Sequence, residues 1–288
     1  MYGGTVSKEF IMIQEFIEGK CGIKLGEEKA YLLESKLTSL LVESGASNFE
    51  DLYLKICTTS DSALIESVIE AVTINETFWF RDKTPWYVIE EILLPVLIAK
   101  LRNGEGDRVR IWSAACSYGQ EPYSVAMCID NYLKRMGAID VSPVAFEILA
   151  TDISSDVLHM AQSGNFDNIS ISRGLEEEYK SKYFRNEGRI WRLDEEIKKR
   201  VCFKQFNLIK SNFTYGLYDI IFCRNVLIYF SERYKKEVMD GITASLKPGG
   251  VLFIGSSELF EDYGRCYTME QYRNGIYYRK KEGMRIGF

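Results

Sequence analysis

The sequence predicts an α/β fold, in which a small all-α domain precedes a doubly wound, mostly parallel sheet. Three observations predict it. Residues 6–73 carry apolar side chains at helical spacing. From about Asp107, β-prone runs alternate with amphipathic helical runs, the signature of a parallel sheet covered on both faces. Finally, Arg110 to Ser124, RIWSAACSYGQEPYS, reads as strand, small-residue turn and helix, the arrangement with which such sheets make nucleotide sites.

In the helical part, Glu9 to Glu18 presents Phe10, Ile11, Ile13, Phe16 and Ile17, and Glu27 to Glu43 presents Tyr31, Leu32, Leu37, Leu40 and Leu41. Phe49 to Cys57 and Ala63 to Val72 repeat the pattern, with Gly45 and Thr58-Thr59-Ser60 as breaks. Core packing accounts for every stripe. In the sheet part, Val109 to Ser113, Phe146 to Thr151, Val201 to Phe206, Tyr218 to Phe222 and Val251 to Ile254 are strand-like. The last follows a Lys247-Pro248-Gly249-Gly250 turn. Helices are expected at Glu121 to Arg135, Ser155 to Ser163 and Ser231 to Leu246. About 36 residues separate Gly164 from Val201, too many for a plain connection. A small inserted β-subdomain is expected there, over about 165–200, with a hairpin around Asn186-Glu187-Gly188. Asn274-Gly275 predicts a closing hairpin within Cys266 to Lys280, so the last strand should run antiparallel. The expected division is 1–75 for the helical domain and 76–288 for the sheet domain.

Composition narrows the function classes. The 288 residues are 46% hydrophobic and 27% charged, an ordinary globular balance. The longest apolar run, Val88 to Leu101, is broken by Glu90, Glu91 and Pro95, so no membrane insertion is expected. The opening MYGGTVSKEF has no basic-then-apolar signal pattern. Seven scattered cysteines contain no C-x-x-C pair, which points to reduced thiols in a cytoplasm and away from zinc or another metal. The lone histidine, His159, sits in a helical stretch, so histidine triads are poor candidates. Residues 1–75 hold six lysines against twelve acids and carry −6, leaving +1 on the remainder of a chain with net charge −5. Neither part shows the basic patch of a nucleic-acid binder.

Several polar residues fall at strand carboxyl ends, where α/β sheets bind ligands. Asp152 ends the second strand, where an acid holds ribose hydroxyls or caps the following helix; Ser154 or Ser155 can fill the capping role instead. Asn207 follows the third strand and Asn225 the fourth, each also a natural turn residue. Glu121 opens the helix after the first strand, near where a cationic ligand group would sit; the helix dipole alone also favours an acid there. Asn75 to Asp82, NETFWFRD, lies between the two parts as either a pocket wall or a packed linker.

The chain resembles the CheR family of chemotaxis receptor methyltransferases. The resemblance rests on NETFWFRD at 75–82, WSAACSYGQEPYS at 112–124, ATDIS at 150–154, FCRNVLIYF at 222–230 and LKPGGVLFIGSSE at 246–258. It implies a Rossmann-like, S-adenosylmethionine-dependent methyltransferase sheet with an inserted small β-subdomain. The implied reaction transfers the methyl group of S-adenosyl-L-methionine to glutamate side chains of chemoreceptor cytoplasmic domains, with S-adenosyl-L-homocysteine as product. By motif, the implied cofactor residues are Asn75, Thr77, Arg81, Glu121, Asp152 on the ribose, Asn207 and Leu208 flanking the adenine, and Asn225 and Val226 nearby. Tyr229 and Arg81 are implied to face the transferring methyl or the acceptor carboxylate. A monomer is expected.

The sequence departs from the family pattern in three places. Tyr118 stands where the family usually has Thr, and Gln120 where it usually has Glu. The helix Glu27 to Glu43 sets Lys29 and Lys36 against Glu27, Glu28, Glu34 and Glu43, unlike the basic receptor-docking helix of many members. The hairpin loop at 185–189 is short, which predicts no need for a tether to a receptor C-terminal pentapeptide.

The implied chemistry suits this residue inventory. A glutamate acceptor, with a reference pKa near 4.3, is ionised at pH 7 and needs no general base. Positioning can supply roughly 7–11 kcal/mol of barrier reduction at best. A tyrosine hydroxyl orients a carboxylate more gently than a buried arginine, which favours Tyr229. Other readings are a methyltransferase for nucleic acid or a small molecule, a non-catalytic scaffold that senses S-adenosylmethionine, and the same chemistry on a receptor-like sensor outside chemotaxis.

Overall fold

A helical unit and a sheet unit account for the chain. The computed structural model describes residues 8–24, 30–58, 62–210, 216–258 and 263–283. Glu27, Glu28, Lys29, Thr59 and Ser60, and the side chains of Tyr31 and Leu32, lie outside the described residues.

The first unit comprises Met1–Ile74 with Asn207–Ile209 and Ile228–Val238. Its helices are α1 (Lys8–Cys21), α2 (Ala30–Ser44), α3 (Phe49–Thr58) and α4 (Ser62–Val72). The buried face of α1 is Phe10, Ile13, Ile17 and Cys21, a three–four–four spacing. Ile11 falls about 100° away from it and is 45% exposed, and Phe16 is only half-buried. Those stripe residues therefore line the edge of the face, not its centre. Leu37, Leu40, Leu52, Ile56, Val68 and Val72 complete the core of this unit. Two later stretches join it: Ile23 bridges Phe230, and Lys24 N–H donates to the Tyr229 carbonyl at 2.8 Å.

The second unit comprises Asn75–Phe206, Lys210–Leu227 and Met239–Phe288. It begins with α5 (Lys83–Val88), a π turn (Ile89–Leu93) and α6 (Leu94–Arg102). This helical run was not anticipated from sequence. Pro95 is the second residue of α6, directly after the π turn whose i−5 bond runs from Leu94 N–H to the Ile89 carbonyl, and such a local π adjustment accommodates a residue without an N–H inside a helical run. Then follow β1 (Val109–Ala114), α7 (Gln120–Arg135), β2 (Phe146–Asp152) and α8 (Ser155–Ser163). The insertion holds β3 (Asn165–Asp167), α9 (Asn168–Ser172), α10 (Glu177–Tyr183), β4 (Phe184–Glu187), β5 (Ile190–Leu193) and α11 (Glu195–Lys198). The chain returns through β6 (Val201–Gln205), β7 (Tyr218–Cys223), α12 (Glu232–Ser245), β8 (Leu246–Ile254), β9 (Tyr267–Tyr272) and β10 (Gly275–Lys280).

The main sheet has the order β6-β2-β1-β7-β8-β10-β9. Its first five strands are parallel, and β10 runs antiparallel to both β8 and β9, as the Asn274-Gly275 turn anticipates. In β1 and β7 all residues but one are buried, as expected where helices cover both faces. The strand order reverses between β1 and β7, which makes their carboxyl ends the switch point. Lys247 to Gly250 is not a turn before β8. It lies within the strand, where the register with β7 shifts between Tyr218 and Ile220. The inserted segment forms a separate antiparallel sheet, β3-β5-β4. Trp79 is fully buried and meets Phe166 and Phe184 of that sheet edge-on at 4.8 and 5.2 Å. At Trp79, the packed-linker reading of NETFWFRD therefore holds.

Candidate functional site

The loops after β1, β2, β7 and β8 share one edge of the sheet because these strands are parallel neighbours. Among the described residues, six non-glycines have positive φ, and five of them lie in this region's motifs: Phe80, Asp82, Ala115, Ser117 and Asn225. Such conformations cost of order 1–3 kcal/mol each and persist only where surrounding bonds impose them.

After β1, those bonds are specific. Cys116 N–H donates to the Thr151 carbonyl at 2.9 Å, and Ser117 N–H donates to Asp152 Oδ2 at 2.8 Å. Ser117 Oγ donates to the Asn75 carbonyl at 2.8 Å. Three sequence-separated motifs thus converge on Ser117. Asp152 also accepts from Ser154 N–H at 3.1 Å. Burial pushes its carboxyl up, against the backbone N–H groups of Ser117, Ser154 and Ile153 that pull it down. The cap of α8 is Ser154, whose Oγ accepts from Val157 N–H, so Asp152 is not needed for capping. A carboxylate has about four acceptor positions, so both Asp152 oxygens retain capacity.

Gly119 does not open the turn to a ligand, as the small-residue pattern suggests. At φ +87°, an added Cβ would fall 3.0 Å from Ala161 Cβ and 3.1 Å from the Tyr123 ring. It is glycine because of α8 and α7 packing and its left-handed backbone. Tyr118 lines a cavity of about 410 Å³ together with Gln120, Phe166, Asp167 and Ile190.

Glu121 accepts from Ser113 Oγ at 2.8 Å and from Arg224 Nη1 at 2.9 Å. Burial raises its pKa, while Arg224, Ser113 and the field of Arg81 oppose the rise. Arg224 has a side chain only 1% exposed. Its Nη2 donates to Asp82 Oδ2 and to the Arg81 carbonyl, both at 2.7 Å. One guanidinium thereby ties the NETFWFRD, Glu121 and FCRNVLIYF segments together. The Arg81 guanidinium stacks 5.0 Å from the Phe78 ring centre, and Thr77 is half-buried beside it in sequence.

Asn225 and Val226 are held by Glu258. Its Oε2 accepts from the N–H groups of Asn225 at 2.9 Å and Gly255 at 2.6 Å, and its Oε1 from Val226 at 2.9 Å and Leu227 at 2.7 Å. Asn225 Oδ1 is buried without a protein partner. Arg224 and Glu258 were both missed in the sequence. For Arg224 the available signal was a charged residue directly after an apolar strand run; Glu258, four residues past β8, offered none of that kind.

Asn207, Leu208 and Tyr229 belong to the first unit. The Asn207 amide donates to the Lys20 carbonyl at 2.7 Å and its Oδ1 accepts from Ile209 N–H, so it serves as a turn residue there. Leu208 is buried and Tyr229 half-buried. Cys116 and Cys223, at the ends of β1 and β7, are buried free thiols, and burial raises both well above the ordinary thiol value. His159 is exposed on α8. No described helix is long and apolar enough to cross a membrane.

The strand order, with a buried acid ending β2 and a buried, unpaired amide oxygen after β7 at the switch point, is that of a doubly wound nucleotide-binding sheet. Its match to a SAM-binding family domain makes it an S-adenosylmethionine-dependent methyltransferase fold. The chain belongs to the CheR family. Residues 75–276 match the family's methyltransferase SAM-binding domain, and residues 8–73 its all-alpha domain. The chain is 41% identical over 280 residues to chemotaxis protein methyltransferase Cher2 of Pseudomonas putida, covering 96% of this chain and 99% of that one. It is 42% identical over 280 residues to chemotaxis protein methyltransferase 1 of Pseudomonas aeruginosa, with the same coverage. Against chemotaxis protein methyltransferase 1 of Vibrio cholerae, the identity is 40% over 281 residues, 96% of this chain and 98% of that one.

Proposed function

We propose that this chain methylates glutamate side chains in the cytoplasmic domains of chemoreceptors, using S-adenosyl-L-methionine and leaving S-adenosyl-L-homocysteine. The observation that carries the reading is likeness to chemotaxis protein methyltransferases along nearly the whole chain. The residues present suit the cofactor. Asn225 Oδ1 is a buried acceptor awaiting an N–H donor, and Asp152 is a buried acid with spare acceptor capacity.

When bound, the cofactor supplies a methyl group on a sulfonium, an electrophile that needs no further activation. The chain's residues bind and orient. Asp152 takes the ribose hydroxyls, and Asn207, Leu208, Asn225 and Val226 take the adenine. Asn75, Thr77, Arg81 and Glu121 take the amino-acid portion, with Glu121 matching its ammonium. Arg81 and Tyr229 orient the acceptor carboxylate, already ionised at neutral pH. Residues 1–75 serve as the helical domain, and 76–288 as the transferase with its insertion at about 165–200. The enzyme acts as a cytoplasmic monomer, without nucleic acid. It also acts without a pentapeptide tether, a reading supported by the short Gly188-Arg189 turn between β4 and β5.

The test is incubation of the protein with radiolabelled S-adenosylmethionine and receptor-containing membranes, followed by mild base. Label on a receptor band released as methanol is the expected result. Cofactor binding by calorimetry with no transfer to any receptor would favour a sensing scaffold instead. Tyr229→Phe should lower kcat; an unchanged kcat would remove Tyr229 from the chemistry.

A further inference from the structure

The site described above leaves Arg173 unused. It follows α9 in the insertion, and its backbone is pinned to the NETFWFRD segment. Trp79 Nε1 donates to the Ser170 carbonyl at 3.1 Å, and Trp79 N–H donates to the Arg173 carbonyl at 3.0 Å. Gly174 follows at φ +88°, where an added Cβ would lie 2.2 Å from the Trp79 carbonyl oxygen and 3.2 Å from the Phe78 ring. Only glycine permits that approach.

This docking places a second guanidinium on the ring that already carries Arg81. Arg173 lies 5.6 Å from the Phe78 centroid and Arg81 lies 5.0 Å from it. The two cations are therefore within reach of neighbouring side chains on one polypeptide segment. Their local countercharge is thin. Glu76 accepts from Arg173 Nη2 at 2.7 Å, but the pair is 46% and 58% exposed. Among the described residues, Arg81 donates to the Glu76 carbonyl, at 3.2 Å, and its field reaches Glu121 without a hydrogen bond to it. The oxygens of Glu121 are already bonded to Ser113 and Arg224. An exposed pair of this kind is worth little and is readily exchanged for an incoming carboxylate. The guanidinium fork also suits a carboxylate better than an ammonium would.

We propose that Arg173 is a substrate-positioning residue that binds a second carboxylate on the acceptor, beside the glutamate presented to Arg81. This rests on the methyl-transfer reading above. Arg173 thereby makes the enzyme prefer glutamates with an acidic neighbour, and the insertion takes part in acceptor choice.

The test measures initial rates of methyl transfer by the full chain to a chemoreceptor cytoplasmic fragment. Arg173→Gln should raise KM for the acceptor about five-fold, the scale of a partly exposed charge pair, with kcat and cofactor Kd unchanged. Arg173→Lys should fall between, and Glu76→Gln, which frees the guanidinium, should lower KM. An acceptor whose acids beside the methylated glutamate are replaced by glutamine should give wild type and Arg173→Gln the same KM. Equal KM on the native acceptor, or a KM difference that survives neutralising those acids, would overturn the proposal. If Arg173→Gln fails to fold, the Arg173→Lys and Glu76→Gln shifts decide. If wild type methylates no acceptor, the proposed function itself fails and takes this inference with it. Normal wild-type transfer with unshifted variants sinks the inference alone.

Discussion

Replacing Arg224 with Met removes the guanidinium that joins three loops while keeping an unbranched apolar stem. The side chain is 1% exposed, and its partners differ in value. The Asp82 pair, with the acid 38% exposed, is worth at most about 1 kcal/mol. The bond to the Arg81 carbonyl has a charged donor and contributes roughly 1.5–3 kcal/mol. Glu121, 13% exposed, would be left as a buried charge without its partner, a loss of about 3–5 kcal/mol. Because these terms overlap, the expected net loss is about 5 kcal/mol, or roughly 10 °C or more in Tm. The assay is urea and thermal unfolding by circular dichroism at pH 7.5, for wild type, Arg224→Met, Glu121→Gln and the double variant. The double variant should recover about 2 kcal/mol relative to Arg224→Met, because its residual penalty is an orphaned charge. A loss under about 1 kcal/mol, or a double variant as unstable as the two singles added, would refute the reasoning.

Other outcomes follow from the same geometry. Glu258→Gln turns an amide NH2 toward two of the four N–H donors now bonded to the carboxylate, so stability should fall by about 3 kcal/mol and cofactor Kd should rise; calorimetry showing wild-type Kd would separate Glu258 from the site. Glu121 has a folded pKa raised above its unfolded value, chiefly by burial, so its ionisation opposes folding, fully so once the pH passes the folded pKa. Cofactor affinity that needs the charged form should therefore weaken on acidification before an ordinary glutamate would titrate, and Glu121→Gln should flatten that dependence in titrations from pH 4.5 to 8. At Asp130, burial pushes the carboxyl up, but bonds from Lys134, Tyr183 and Arg200 win and hold it low. Its stability contribution is present above the ordinary carboxylate range and lost as pH falls through the folded pKa, so Asp130→Asn should flatten the acid limb of a stability–pH curve.

What the sequence made legible is what depends on local period and local turn chemistry. The described stripes of α1 to α4, apart from Ile11 and Phe16 at the edge of the α1 face, the alternation from β1 onward and the Asn274-Gly275 hairpin read directly. The run from Lys83 to Arg102 did not, because the π turn at Ile89–Leu93 inserts a residue and shifts the apolar face by about 100°. Asp152 and Glu121 stood out by position, since strand ends and helix starts can be located along the chain. Arg224 and Glu258 did not, because their meaning lies in partners far away in sequence. Arg224 reaches Glu121 across 103 positions, and Glu258 reaches back 33 to Asn225. Asn207 shows the reverse: it is placed as expected after β6, yet its amide is committed to Lys20 and Ile209.

The two thiols at the ends of β1 and β7 bear on chemical selectivity. Sulfur is intrinsically a better nucleophile toward an activated methyl group than a carboxylate oxygen, but only as the thiolate. Cys116 and Cys223 are fully buried, with Glu121 acting on both and Asp152 and Glu258 on one each. Burial first, and the neighbouring carboxylates second, push both thiols well above their ordinary value and so disfavour the thiolate. Burial of this kind makes both sulfurs poor nucleophiles toward an activated methyl group, whereas a carboxylate acceptor is ionised at neutral pH.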